Sequence, residues 1–193
     1  MKSLQLLFVS LLTLFAALIT AGCAPVIVAG AAGGAAAAHD QRSGQSILDD
    51  QFIEAKAKDA VYQDPAMAKR IHINITSYNG VVLLTGEALS KGERAKVIDI
   101  VRHLDKVRRV HDEIRIADLS GFKARSNDSW ITSKVKAQMI ATKGFDSTRV
   151  KVVTEAGSVY LMGLVSRGQG KQAADIARHV TDVKRVVKLF EYL

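Results

Sequence analysis

Asn79-Gly80-Val81-Val82-Leu83-Leu84-Thr85-Gly86 decides the fold, because the chain writes it twice. Ala156-Gly157-Ser158-Val159-Tyr160-Leu161-Met162-Gly163 repeats the turn, the apolar run and the closing glycine. An Asn-Gly pair between apolar runs is a strong hairpin signal, since both residues accept the positive φ that a tight turn demands. Upstream, Ile71, Ile73 and Ile75 alternate with His72, Asn74 and Thr76, the period of a strand with one buried face. The stretch 150–154 stands in the same place before the second turn.

The repeat extends outward from the hairpin. Asp50-Gln51-Phe52-Ile53 returns as Asp128-Ser129-Trp130-Ile131, and Lys56 as Lys134. Asp99-Ile100-Val101-Arg102-His103-Leu104 returns as Asp175-Ile176-Ala177-Arg178-His179-Val180, and Val107-Arg108-Arg109-Val110 as Val183-Lys184-Arg185-Val186. The offset drifts from 78 (Asp50 to Asp128) through 77 (Gly80 to Gly157) to 76 (Asp99 to Asp175), so small loop changes separate two copies of a unit of about 65 residues.

Each copy predicts the same elements. Ile53, Ala57, Ala60 and Val61, answered by Ile131, Val135 and Met139, recur at helical spacing, with Asp50 and Asp128 expected as N-caps. Val97, Ile100, Val101 and Leu104, answered by Ala173, Ile176, Ala177 and Val180, mark a second helix, and a last strand is expected over 108–116 and 184–192. The order is αββαβ. The hairpin pairs antiparallel, and a right-handed helical crossover makes strands two and three parallel. The fold class is therefore α+β: two tandem units, each a three-stranded mixed sheet with both helices on one face. The expected division is a signal at 1–22, an Ala/Gly-rich tether at 23–48, a first unit at 49–117, a linker at 118–126 and a second unit at 127–193.

Lys2, the apolar run 4–19 and Thr20-Ala21-Gly22 before Cys23 have the layout of a secretory signal. Cys23 is the single cysteine, so it has no disulfide partner, and its place at the cut points to lipidation rather than plain secretion. A spanning anchor is the weaker account, because 4–21 is barely long enough and no basic flank follows. The layout resembles a bacterial lipoprotein signal, in which cleavage precedes the cysteine and acyl chains are attached to it. Thr20 departs from the aliphatic residue usual there, and Ala24 after the cysteine implies export to the outer membrane. Residues 29–38 are all Ala or Gly and read as a tether or as a glycine-zipper helix at the membrane.

The formal net charge is +8 and is unevenly spread. Residues 50–116 hold 12 basic and 10 acidic side chains, or +2, and residues 121–193 hold 13 and 6, or +7. That excess suits an anionic partner such as lipid headgroups or polysaccharide, and an exported address removes nucleic acid from consideration. His103 and His179 recur in both copies, but each has only Asp99 or Asp175 at i−4 beside it. No spacing of ligands for a metal, no nucleophile with a base and no phosphate loop is present, so neither a cofactor nor an enzymatic activity is expected.

The αββαβ order, the pair Gly80 and Gly86 matched by Gly157 and Gly163, and the closing Val107/Val110 and Val183/Val186 pairs resemble the BON domain. Two such units behind a lipoprotein signal are similar to the dual BON-domain outer-membrane lipoproteins of Gram-negative bacteria. Ser126-Asn127-Asp128-Ser129-Trp130-Ile131-Thr132-Ser133-Lys134-Val135 is close to the second domain of that group. The resemblance implies a non-enzymatic protein on the periplasmic face of the outer membrane. It also implies a role in envelope integrity and a first helix of the second domain that binds anionic, phosphatidylglycerol-like phospholipid through the tryptophan matching Trp130.

Helix geometry adds Ser133, Lys134, Lys136 and Ala137 as candidates around that indole. Trp130 stands about 100° round from Ile131, at the border of the buried stripe. Two readings fit that place. One is core-edge packing, which Phe52 would share in the first copy. The other is a bilayer interface, with the ring at headgroup depth and lysines on phosphates. A rival function is a protein-interaction adaptor that docks on an outer-membrane assembly or peptidoglycan-associated partner. A third, an osmotic-stress chaperone role, rests on the family resemblance alone.

Overall fold

Both hairpins close on the marked turns. Asn79 and Gly80 stand at φ 53° and 72°, and Ala156 and Gly157 at 52° and 78°, the pair of left-handed residues that a type I′ turn requires. The computed structural model describes residues 42–193. The signal, Cys23 and the tether as far as residue 41 lie outside the described residues.

The first unit runs α1 (Gly44–Tyr62), α2 (Pro65–Ala68), β1 (Ile71–Tyr78), β2 (Val81–Ala88), α3 (Lys91–Arg102) and β3 (Arg109–Ile116). The second runs α4 (Phe122–Ala141), β4 (Lys151–Glu155), β5 (Ser158–Val165), α5 (Arg167–Arg178) and β6 (Arg185–Tyr192). The described residues form two three-stranded sheets, β1-β2-β3 and β4-β5-β6. Each hairpin is antiparallel, and β2/β3 and β5/β6 are parallel, in registers that begin Val81↔Arg109 and Ser158↔Arg185.

Several expectations are corrected. Asp50 and Asp128 do not cap their helices. Ser43 caps α1 by accepting from the Ser46 amide at 3.1 Å, and α4 begins after Gly121, so both aspartates lie well inside and are 3% and 7% exposed. Their carboxylates turn inward to the hairpin turns, whose unpaired amides need acceptors more than the helix start does. The expected tether is helical from Gly44, and the expected linker from Phe122. The plain αββαβ order also omits a turn in each unit. Asp64 and Pro65 start α2, whose Met67 is buried in the core, and a 3₁₀ turn, Ser147–Arg149, takes that place in the second unit.

The helices of each unit cover one sheet face. Ile53, Ala57, Val61, Val97 and Val101 pack on Val82 and Leu84 of β2, and Ile131, Val135, Met139, Ala173 and Ala177 pack on Val159 and Leu161 of β5. The opposite faces meet each other. Tyr78, Val81 and Leu83 pack against Tyr160 and Met162, flanked by Val153, Leu164, Val187 and Leu189. The result is four layers, with both pairs of helices outermost. All eight positions of β2 are buried, because one face meets the helices and the other meets the second sheet.

Polar contacts ring this seam. Asn74 Nδ2 donates to Glu155 at 2.8 Å, Asn79 Nδ2 to Glu191 at 2.7 Å, Lys151 Nζ to Glu54 at 2.8 Å and Arg185 to Glu113 at 2.7 Å. Mid-strand Gly86 is required where the hairpin backbone passes closest, since a Cβ there would lie 1.9 Å from the His72 carbonyl oxygen. Gly163 meets the Arg149 carbonyl in the second copy.

Candidate functional site

The outward face of α4 is the most unusual surface on the described residues. Asp128, Ile131, Val135 and Met139 are its buried stripe. Large apolar side chains also lie on the opposite side. Phe122 is 80% exposed, Trp130 63% and Ile140 72%. At 3.6 residues per turn, Phe122 and Ile140 share one azimuth after five turns, and Trp130 lies about 80° from them, so the three form an apolar stripe roughly 27 Å long. An ordinary surface helix puts its apolar residues on one face. This helix carries them on two.

The sequence-predicted residues separate into two groups. Trp130, Ser133, Lys136 and Ala137 are all exposed. The indole is absent from the core, and so is Phe52, 61% exposed at the matching place of α1, which removes the core-packing reading of both. Lys134 is half-buried and already engaged, its Nζ donating to Asp182 Oδ2 at 2.8 Å and to the Thr181 carbonyl at 3.1 Å. Its charge closes the first helix onto the loop after α5. Lys136 and Lys123 are exposed and make no ion pair among the described residues, and Lys123, seven residues before Trp130, shares its side of the helix.

Phe122 and Ile140 were missed in the sequence reading. Phe122 falls in the stretch read as linker, and Ile140 stands next to the core residue Met139. The signal available was their separation of 18 residues, which restores the azimuth of a helix.

What holds α4 in place is the hairpin beneath it. Asp128 accepts from the Ala156 and Gly157 amides, each at 2.8 Å, and Thr132 bonds Thr154 at 2.7 Å through their hydroxyls. Beside α4, towards α5, lies an open groove of about 820 Å³ with Ala137, Ala141, Ile176 and Val180 among its walls.

The recurring histidines are helix ends. His103 Nδ1 bonds the Asp99 carbonyl oxygen at 2.8 Å and His179 Nδ1 that of Asp175 at 2.7 Å, both in exposed positions. The Asp99 carboxylate is 3.5 Å from its histidine. No group of three metal-ligating side chains occurs among the described residues, and none of their helices is long and apolar enough to cross a membrane.

Comparison with known proteins agrees with the doubled architecture. The family model of the BON domain matches residues 49–118 and again 127–193. The chain is 34% identical over 172 residues to the outer membrane lipoprotein DolP of Haemophilus influenzae, covering 89% of each chain. It is 35% identical to a 21 kDa hemolysin of Actinobacillus pleuropneumoniae, over 80% of this chain and 79% of that one. It is 31% identical to the osmotically-inducible protein Y of Escherichia coli, over 73% and 71%. With two full matches to the family and relatives aligned across most of its length, this chain belongs to the BON domain family and carries two BON domains in tandem.

Proposed function

We propose that the protein is an outer-membrane lipoprotein, acylated at Cys23 and facing the periplasm, that binds anionic phospholipid through the outward face of α4 and so supports envelope integrity. The observation that carries this reading is the stripe of Phe122, Trp130 and Ile140, exposed on one helix face beside Lys123 and Lys136, which make no ion pair among the described residues. A helix of that kind lies in the plane of a bilayer interface. Its rings and aliphatic groups enter the headgroup boundary while the ammonium groups remain with the phosphates. The surplus of +7 in the second unit supplies attraction over the whole module. The likeness to an outer membrane lipoprotein over 89% of both chains supports the address. In this reading the protein performs no chemical step.

Flotation tests the reading with a chain that begins at Ala24 and so lacks the acyl anchor. Such a chain should rise with phosphatidylglycerol vesicles in low salt and stay down with phosphatidylcholine vesicles. Absence from both fractions defeats the lipid reading and leaves the adaptor. That rival has one observation in its favour: Leu48 and Phe52 of α1 are 49% and 61% exposed in a unit with little excess charge, a surface better suited to a protein than to an anionic membrane.

A further inference from the structure

A polar cluster lies buried in the seam, at the end of the first hairpin away from its turn. Glu87 of β2 is fully buried, accepts from Arg115 and accepts from the Ser120 amide at 3.2 Å. His72 Nδ1, across the hairpin, is 3.5 Å from Glu87 Oε2. Neither that nitrogen nor the hydroxyl of Thr85, which is 1% exposed, has a hydrogen-bond partner among the described residues. From the other sheet comes Glu155, 5% exposed and held by Asn74.

We propose that Glu155, facing Glu87 and His72 across the seam, is a proton-operated latch between the two BON domains: a proton taken up by Glu155 tightens the sheet-to-sheet seam. Two carboxylates in a seam with little water repel each other, and a proton on Glu155 removes that repulsion while leaving an oxygen to accept from Asn74. The charged groups that face Glu155 are His72 from β1, Glu87 from β2 with Arg115 of β3 behind it, and Asp128 and Arg125 from α4.

Burial pushes the Glu155 carboxyl above its ordinary value, the Asn74 hydrogen bond works against this, and the charges of Glu87 and Asp128 add to it. A carboxyl raised in the fold penalises the native state at neutral pH. The penalty is relieved as pH falls through the folded value and is gone below the ordinary value of 4.5. His111 of β3 runs the other way, because burial and the neighbouring Arg109 lower its affinity for a proton. The test therefore compares variants at each pH.

The experiment follows thermal unfolding of the full acylated chain in neutral detergent, without lipid, so its outcome is separate from that of the membrane reading. Glu155→Gln mimics the protonated acid. It should melt about 2–4 °C above the wild type at pH 8, with the gap narrowed at pH 5 and closed only below the ordinary value of 4.5. A gap that is absent at pH 8, or equal at both values, overturns the latch. Should the variant not fold, NMR titration of the wild type decides. A Glu155 carboxyl that titrates above 4.5, in step with the β4 amides, supports the latch. A Glu155 that titrates in the ordinary range, or apart from its neighbours, overturns it.

Discussion

Asp128 Oδ1 accepts a hydrogen bond from the Gly157 amide at 2.8 Å, so a carboxylate in the middle of a helix pins the turn of the hairpin that follows it. Asp50 repeats the device in the first domain. It accepts from the Asn79 and Gly80 amides and also from Ser77 Oγ and Arg42, at 2.6–2.8 Å. These aspartates hold the first helix of each BON domain in register with its sheet. Asp128→Ala should lower stability by about 3 kcal/mol, since one buried and one part-buried amide lose their acceptor. Asp128→Asn keeps one oxygen and should cost about half as much. Asp50→Ala should cost more than Asp128→Ala. Urea midpoints at unchanged slope measure all three.

The second glycine of each repeat is a packing constraint. Gly86 has φ +110° and leaves no room for a methyl group beside the His72 carbonyl. Gly86→Ala combines backbone strain with a steric clash and should cost at least about 3 kcal/mol. Gly163→Ala has the clash with the Arg149 carbonyl but not the positive φ, and should be the milder of the two. Gly121→Ala meets nothing within 4 Å and should cost least, no more than the change of N-cap residue at the start of α4, and a thermal melt of the three orders them.

Much of this was legible in the sequence, and what was not has physical causes. Period and turn chemistry located both hairpins and all four long helices, because Asn79-Gly80 and the spacings of Val97 and Ala173 state local rules. The role of Asp50 and Asp128 was not local. An aspartate near a helix start satisfies the capping rule, and only the fold brings the unpaired amides of a turn 29 residues away against it. The seam had a signal that went unread. Val81-Val82-Leu83-Leu84 is apolar without alternation, the mark of a strand buried on both faces. The stripe on α4 was half legible: Trp130 stood out, whereas Phe122 required the true helix start and Lys134 required knowledge of Asp182.

Because the seam is a core of its own, the two domains should unfold together. Leu83 and Met162 are fully buried within it. Leu83→Ala and Met162→Ala should each cost about 2–5 kcal/mol. Their effects should couple in the double variant, because they share one cluster. A single calorimetric transition in the wild type that splits into two with Leu83→Asp is the expected result. Two separate transitions in the wild type would mean that the sheets do not support each other.

His111 offers a pH test outside the latch. Its ring is held toward the neutral form by burial and by Arg109, against the pull of Glu113. A histidine lowered in the fold contributes fully above its ordinary value of 6.5, and the contribution is lost as pH falls through the folded value. His111→Gln should flatten the fall in melting temperature between about pH 7 and 5 relative to the wild type. An unchanged slope would place the titration elsewhere.

The membrane reading makes its sharpest prediction about which lysine matters. Lys134 lies one turn after Trp130, yet Asp182 neutralises it at 2.8 Å, so Lys134→Ala should weaken vesicle binding little while lowering stability. Lys136 has no such partner among the described residues, and each unit charge near an anionic surface is worth about 1 kcal/mol. Lys136→Glu moves two charges and should weaken binding roughly 30-fold in low salt, with the difference shrinking as salt rises. Trp130→Ala should cost about as much through lost apolar burial, with little dependence on salt. Phe52→Ala, its counterpart on the other outer face, should bind as the wild type does. Vesicle titrations at two ionic strengths separate these terms. Equal effects from Lys134→Glu and Lys136→Glu would show that general charge, rather than this face of α4, governs the attachment.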